Sequence, residues 1–446
     1  MAQIREGAER ARERIGDRTI WHVNSTARGG GVAEMLIALL PYAHGAGIDA
    51  RWLVIDGDKP FFTVTKRIHN LLHGSPGDGG ELGDEEREAY ERALRPSAKD
   101  LDELVDEDDI VVLHDPQTAG LIPGLKGKVS AVIWRCHVGL DEPNDRARKA
   151  WRFLLPYVKE ADAYVFSRDA FVWEDLDRAR GAIIAPSIDA FAPKNQDMDD
   201  EHVATILAHA GIVDEPANGD PPEFTRMDGS KGTVVNQAEL LEEQPLQPGD
   251  RYVLQVSRWD RLKDPCGVIR GFAEHVDSGA HLVYAGPAVD DVKDDPEGAE
   301  VLQEAKELWN DLPDDARARI HLATLPMEDL DENAAIVNAL QRKAAIVVQK
   351  SLAEGFGLTV AEAMWKGRPV VASRIGGIQD QIDDGESGVL LDDPEDLEAF
   401  GTAVAELLED PDRAERMGEA AREHVKDHYL GTESLLHYLE LIEPLL

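Results

Sequence analysis

Only two cysteines, Cys136 and Cys266, occur in 446 residues. They form no metal-type cluster, and two free thiols suit a reducing compartment better than a disulfide-built exported protein. No run approaches the roughly 20 apolar residues that cross a bilayer, so no membrane span is expected. Residues 1–17 are charged and helix-like and lack the apolar core of a signal peptide, which makes the cytoplasm the expected location. Basic residues are also few. There are 47 Lys and Arg against 87 Asp and Glu, a formal charge of −40, and lysine is scarcer than arginine. That balance argues against nucleic acid as a general partner, since such binding needs a basic face. The acids are dispersed along the chain, so they read as a solvated surface. We expect a halophilic setting, because high salt screens the self-repulsion of such a charge. An acidic interaction tail would need localised charge. Absent too are a P-loop, a G-x-S-x-G elbow, an H-E-x-x-H pair, clustered Cys/His ligands and the G-x-G-x-x-G fingerprint that hydride transfer would want.

What is present alternates. Hydrophobic residues make up 43%, enough for globular folding, and the length is too great for one core. Short apolar runs at 19–23, 50–55, 110–113, 131–135, 163–166 and, more weakly, 182–185 read as buried parallel strands. Amphipathic helices lie between them, at 32–46, 62–72 and 85–94 among others. The second half repeats the theme, with strands at 252–256, 281–285, 320–322, 345–348 and 369–372. Its helices fall at 265–275, 299–312, 332–341, 360–366 and 397–408. The fold class is therefore α/β, with two Rossmann-like doubly wound domains. The expected domains are 1–190, with a last helix at 430–446 packing back onto it, and 191–429, with the hinge at 186–194. Residues 200–210 are helix-like, and 213–250, rich in Gly, Pro and Asp, read as an insertion or long surface loop.

The chemistry concentrates at strand ends. Arg258 and Lys263 stand in R-x4-K spacing just after the apolar run 252–256. In an open α/β sheet that loop borders the ligand crevice, and both cations suit phosphate oxygens. A surface ion pair with Asp260 or Asp264 is an equal alternative. Glu354 and Glu362 stand in E-x7-E spacing around Gly355-Phe356-Gly357-Leu358-Thr359, a glycine turn that opens a helix. Amides of Gly357, Leu358 and Thr359 at a helix start can meet an anion. The two acids beside them are then best explained by neutral hydroxyls, one on a sugar and one on a ribose. The bland alternative makes Glu354 a helix cap and Glu362 a solvated helical residue.

Gly29-Gly30-Gly31, before the helix at 32–46, would let backbone approach a phosphate, though a plain turn serves as well. Gly376-Gly377 and the turn at 384–388 are a nucleotide-lining loop or simple connections in equal measure. His114-Asp115-Pro116-Gln117, Trp134-Arg135-Cys136-His137 and His22-Val23-Asn24-Ser25-Thr26 place polar groups at three first-domain strand ends. A lone histidine is usually structural, but this clustering favours a functional His137, either contacting a sugar hydroxyl or stabilising charge in a transition state.

Together these residues resemble the retaining glycosyltransferases of family 4, which have the GT-B architecture of two Rossmann-like domains facing across a cleft. The R-x4-K and E-x7-E elements are that family's marks, and the resemblance covers nearly the whole chain. A closer similarity is to the trehalose synthases, carried by 22–26 with 29–34, 50–52, 61–70, 114–117, 134–137, 186–189, 294–298 and 354–367. Trehalose phosphorylases of the same family are similar too. The resemblance implies a retaining hexosyltransferase moving glucose from a nucleotide-glucose to glucose, with donor and acceptor meeting in a closed cleft. It implies catalytic roles for Arg258 and Lys263 at the departing diphosphate, for Glu354 at the donor sugar and for His137 near the reacting sugar. It gives Glu362 to the ribose, Gly30, Gly31, Gly355, Phe356, Gly357, Leu358 and Thr359 to the nucleotide-sugar, and Asn24, Asp115, Trp134 and Arg135 to the acceptor. It requires no cofactor and no metal, since Arg and Lys replace one. Phosphorolysis of trehalose, another acceptor, a nucleotide-sugar epimerase and a non-catalytic sugar or nucleotide sensor are the rivals. A homodimer is left open. The departure is 213–250, which looks longer than in trehalose synthases and leaves the acceptor in question.

Overall fold

The computed structural model describes residues 9–10, 12–27, 31–217, 219–277, 279–289 and 296–446. Gly29, Gly30, Asp294 and Asp295 lie outside the described residues. The chain divides into two compact units, Met1–Ser187 with Tyr429–Leu446, and Ile188–His428.

The first unit is built on six parallel strands: β1 (Thr19–Asn24), β2 (Asp49–Val54), β3 (Ile110–His114), β4 (Ala131–Cys136), β5 (Ala163–Phe166) and β6 (Gly181–Ile183). Their order is β2-β1-β3-β4-β5-β6, so the strand order reverses between β1 and β3. Its helices are α1 (Gly31–Gly45), α2 (Lys59–Leu72), α3 (Asp84–Leu104), the single turn α4 (Asp115–Thr118) and α5 (Asp145–Val158). Strand alternation sends Trp21, Val23, Val111, Leu113, Val132 and Trp134 to one core, shared with Phe61, Tyr90 and Trp151 of α2, α3 and α5. Ile20, Ile110, Val112, Ala131 and Ile133 face the opposite core, which holds Leu39 of α1 and Tyr438 and Ile442 of the C-terminal helix. Both faces are covered, which is why these strands read as continuous apolar runs.

The second unit opens with α6 (Asp200–His209). There follow β7 (Glu223–Thr225), β8 (Lys231–Thr233), β9 (Glu239–Leu241), β10 (Tyr252–Val256), α7 (Pro265–His275), β11 (His281–Pro287), α8 (Pro296–Asp311) and β12 (Ile320–Leu325). The unit closes with α9 (Leu330–Lys343), β13 (Ile346–Gln349), α10 (Leu358–Trp365), β14 (Val370–Ser373), β15 (Val389–Leu391), α11 (Leu397–Glu409) and α12 (Pro411–His428). The last helix of the chain, α13 (Gly431–Ile442), belongs to the first unit. The sheet order β15-β14-β13-β10-β11-β12-β9 is, apart from its edge strand, the doubly wound nucleotide-binding order. It reverses between β10 and β13.

The expected loop at 213–250 is instead structured. β7 and β8 form an antiparallel hairpin, and β9 joins β12 as an antiparallel edge. Glu332 of α9 fixes the segment, accepting from the Val235 and Asn236 amides at 2.5 and 2.7 Å and from Asn236 Nδ2 at 2.7 Å. Three-residue strands are too short to show alternation, so composition alone suggested a loop. The helices α5 and α12 were not anticipated either. Both are strongly charged, and α5 carries Pro156 late in the helix.

Candidate active site

In the second unit, β10 and β13 end side by side at the reversal of strand order, where open sheets bind ligands. The loop after β10 carries the R-x4-K pair. Trp259 anchors it, 1% exposed and stacked on Tyr284 with ring centroids 5.0 Å apart. Arg258 bonds Asp260 at 2.9 Å while its side chain stays largely exposed. That is one of the two ion pairs expected if the residue were ordinary. Lys263 does not pair with Asp264. Its ammonium reaches across to the Glu354 carboxylate on the loop after β13, and both side chains are mostly buried. An ammonium has three donors, so holding Glu354 leaves others to turn toward a phosphate.

Glu354 is therefore no helix cap. The N-cap of α10 is Gly357, at φ +81 with no side-chain cap bond, a backbone region that favours glycine. Gly376 (φ +45) and Gly377 lie against this turn, and a Cβ on Gly376 would collide with the Glu354 carbonyl. The Gly377 amide donates to Gly355 O at 2.8 Å and Gln381 donates to Phe356 O at 2.6 Å. The Gly376-Gly377 turn thus braces the Gly355–Thr359 segment. The amides that open α10 there, at Leu358 and Thr359, have no carbonyl one turn back.

Glu362 is not a solvated helical residue. It is 5% exposed, one carboxylate oxygen lies 3.3 Å from Lys194, and Oε2 is buried without a hydrogen-bond partner. Below it Lys366 bonds Asn195, Gln341 and the Glu362 carbonyl at 3.0, 2.7 and 3.1 Å. Burial pushes the Lys366 amine down to about 7, against the pull of Glu362 and with that of Arg342 and Lys194. Lys194 and Lys366 carried no recognisable spacing in the sequence.

The first unit has its own reversal between β1 and β3. His22, His114 and Arg135 share one face of neighbouring strands, and His137 continues that parity past β4. Side chains of adjacent strands on one face meet, and here they form a chain of imidazoles. His22 Nδ1 is 3.1 Å from His114 Nε2, and His114 Nδ1 is 3.3 Å from His137 Nε2. Burial depresses all three, His22 to about 3, and the Arg135 charge adds to the effect, with His22 and His137 also lowering His114. The set is neutral at ordinary pH, so His137, which keeps part of its surface, offers an uncharged donor or acceptor there. Asp115 sits at φ +62 and accepts from the His137 amide at 2.8 Å. Burial raises its carboxyl to about 6, against the His137 amide and Arg135. Asn24 is buried, accepts from Trp52 at 2.8 Å and donates to Thr26 O at 2.8 Å.

Two expected acceptor contacts need correction. Trp134 and Arg135 are both 0% exposed. Trp134 fills the core beside Trp151 and Phe166. Arg135 points to the other face, bonds the Tyr438 hydroxyl and donates to Ile184 O at 3.2 Å. Neither has surface to offer an acceptor. They shape the site from beneath, Trp134 by donating to the Asp115 carbonyl at 3.1 Å and Arg135 by its charge. Gly31, the described member of the glycine turn, is the first residue of α1 and exposed.

Comparison with known proteins gives two family matches along the chain. Residues 22–173 match the model of the trehalose synthase N-terminal domain, and 236–424 match glycosyl transferases group 1. Trehalose synthase of Rubrobacter xylanophilus is 36% identical over 96% of this chain and 90% of its own. Trehalose synthase of Pyrococcus horikoshii is 34% identical over 100% and 93%. The chain belongs to the trehalose synthase family of group 1 glycosyltransferases. It is a hexosyltransferase of the GT-B fold. A trehalose phosphorylase of Pleurotus sajor-caju is similar at 27% identity, over 82% of this chain and half of that one. Among solved structures, an α,α-trehalose-phosphate synthase (UDP-forming) of Burkholderia xenovorans, in complex with glucose-6-phosphate, superposes with a TM-score of 0.68 at 15% identity, covering 95% and 99%. Anabaena HepE, in complex with UDP and glucose, gives 0.61 at 14% identity, covering 96% and 100%. Among the described residues no helix is long and apolar enough to cross a membrane.

Proposed function

We propose that this glycosyltransferase moves glucose from a nucleotide-glucose to glucose with retention of configuration, forming trehalose. The observation that carries this reading is the convergence of Arg258, Lys263, Glu354 and the N-terminus of α10 on the β10/β13 reversal. Cations and unpaired helix amides suit a diphosphate, and the carboxylates suit hydroxyls, Glu354 on the sugar and Glu362 on the ribose. The sugar's C1–O bond to the diphosphate breaks as charge builds on the leaving oxygens, and Arg258, Lys263 and the helix start stabilise that charge. The acceptor hydroxyl bonds C1 from the same face, and its proton passes to the departing diphosphate. No protein nucleophile is assigned, and the cations take the place of a metal. In the first unit, neutral His137 contacts the sugar, while Asn24 and Asp115 serve the acceptor.

Phosphorolysis of trehalose is the second reading, supported by the phosphorylase relatives. Incubation with ADP-, UDP- or GDP-glucose plus glucose should give a non-reducing disaccharide whose linkage is read by NMR. No product from any nucleotide-glucose, with glucose 1-phosphate released from trehalose and phosphate, would establish phosphorolysis instead.

A further inference from the structure

Beneath the candidate donor site lies a charge pair the proposed reaction does not use. Lys350, the residue after β13, is 0% exposed. An unpaired ammonium at such depth is strongly unfavourable. Its partner is the Asp264 carboxylate. Asp264 holds φ +49 and, with Asp115, is one of two non-glycine residues at positive φ among the described residues. Its other oxygen accepts from the Gly267 amide at 3.0 Å, capping α7. A Cβ on Gly267 would collide with that carboxylate, so the glycine is what admits it.

The pair ties together both loops that carry the anion-binding groups. The Lys350 amide donates to Gln255 Oε1 at 3.2 Å, and Gln255 Nε2 donates to the Lys263 carbonyl at 2.8 Å. The Leu352 amide donates to the Leu262 carbonyl at 2.7 Å. Lys263 then meets Glu354 directly. Buried ion pairs are often replaceable by apolar residues without loss of stability. A strained pair whose lysine is fully buried, at the ligand-binding end of a sheet, therefore points to a use for its charge.

We propose that Lys350 and Asp264 are positioning residues of the donor site, holding the two loops in register and setting the electrostatic potential that a diphosphate meets. The inference rests on the nucleotide-sugar reading above. A unit charge about 10 Å away at an effective dielectric near 20 changes an anion's binding by roughly tenfold.

Isosteric substitutions separate this from plain structural knitting. Asp264→Asn keeps the cap and tolerates positive φ, and it removes only the negative charge. Lys350→Met removes only the positive one. Calorimetric titration with UDP, ADP or GDP, whichever the unmodified protein binds, should show Lys350→Met weakening binding by roughly tenfold and Asp264→Asn tightening it several-fold. The double substitution should return toward the unmodified value, and all three differences should shrink as salt rises. Weaker binding in both single variants would overturn the inference and leave the donor reading intact. No binding of any of the three by the unmodified protein would overturn the donor reading and the inference with it. If Lys350→Met fails to fold, Asp264→Asn alone decides: tighter binding supports the inference, and unchanged or weaker binding overturns it.

Discussion

Glu354 and Trp134 looked alike in the sequence, each as a member of a promising motif, and the structure separates them. Glu354 lies at the reversal of strand order and pairs with Lys263 of the facing loop. Trp134 lies wholly in the core. Replacing Trp134 with Ala should cost ~3–5 kcal/mol in chemical denaturation of the first unit, by the usual penalty for a large buried aromatic. A normal stability with a raised KM for the acceptor would restore the direct role. Trp134 lies within β4 and Glu354 on the loop after β13, but linear sequence does not say which side of a strand faces a core. Arg135 shows the same limit, because its burial is made tolerable by Tyr438, some 300 residues away.

The imidazole chain sets an acid limit. Burial holds the pKa of His22, His114 and His137 below that of the unfolded chain. Their neutral burial favours the fold above pH ~6.5, and that contribution is lost as pH falls toward the folded values. Asp115 acts in the opposite direction between about 4 and 6, since its folded pKa is raised, but one carboxyl is set against three imidazoles. Stability should therefore fall between pH 6.5 and 4, with a shallower slope in His22→Leu. An equal slope in both proteins, by urea denaturation at each pH, would show that His22 does not take part.

Among elements, the long strands and the helices with clear amphipathic stripes were legible from apolar periodicity. α7 matches its expected bounds, Pro265–His275, because Asp264 caps it and proline opens it. The segment from 213 to 250 was not legible, because the connection between its strands β8 and β9 is held by a carboxylate on another element. Glu332 is 2% exposed and satisfies three donors there. Removing a buried charged acceptor leaves those donors unsatisfied, at a cost of about 1–3 kcal/mol. Glu332→Ala should lose that much stability and expose 223–241 to limited proteolysis. Resistance equal to that of the unmodified protein would contradict the anchoring role.

For the molecule as a whole, composition was the first signal and topology the more specific one. A charge of −40 makes the folded state repel itself. Raising KCl from low concentration to the molar range should increase the melting temperature by several degrees, as a Debye length near 3 Å screens that repulsion. A melting temperature independent of salt would remove the halophilic expectation. The doubly wound order in each unit was implied by alternating strands and helices, and it places the R-x4-K and E-x7-E loops together.

The central claim is that these loops hold the departing diphosphate. Steady-state turnover of Arg258→Ala and Lys263→Ala with a nucleotide-glucose tests it most directly. We predict a fall in kcat/KM of roughly a thousandfold for each, in the range seen when one preorganised charge-stabilising group is lost. Turnover equal to that of the unmodified protein in either variant would contradict it.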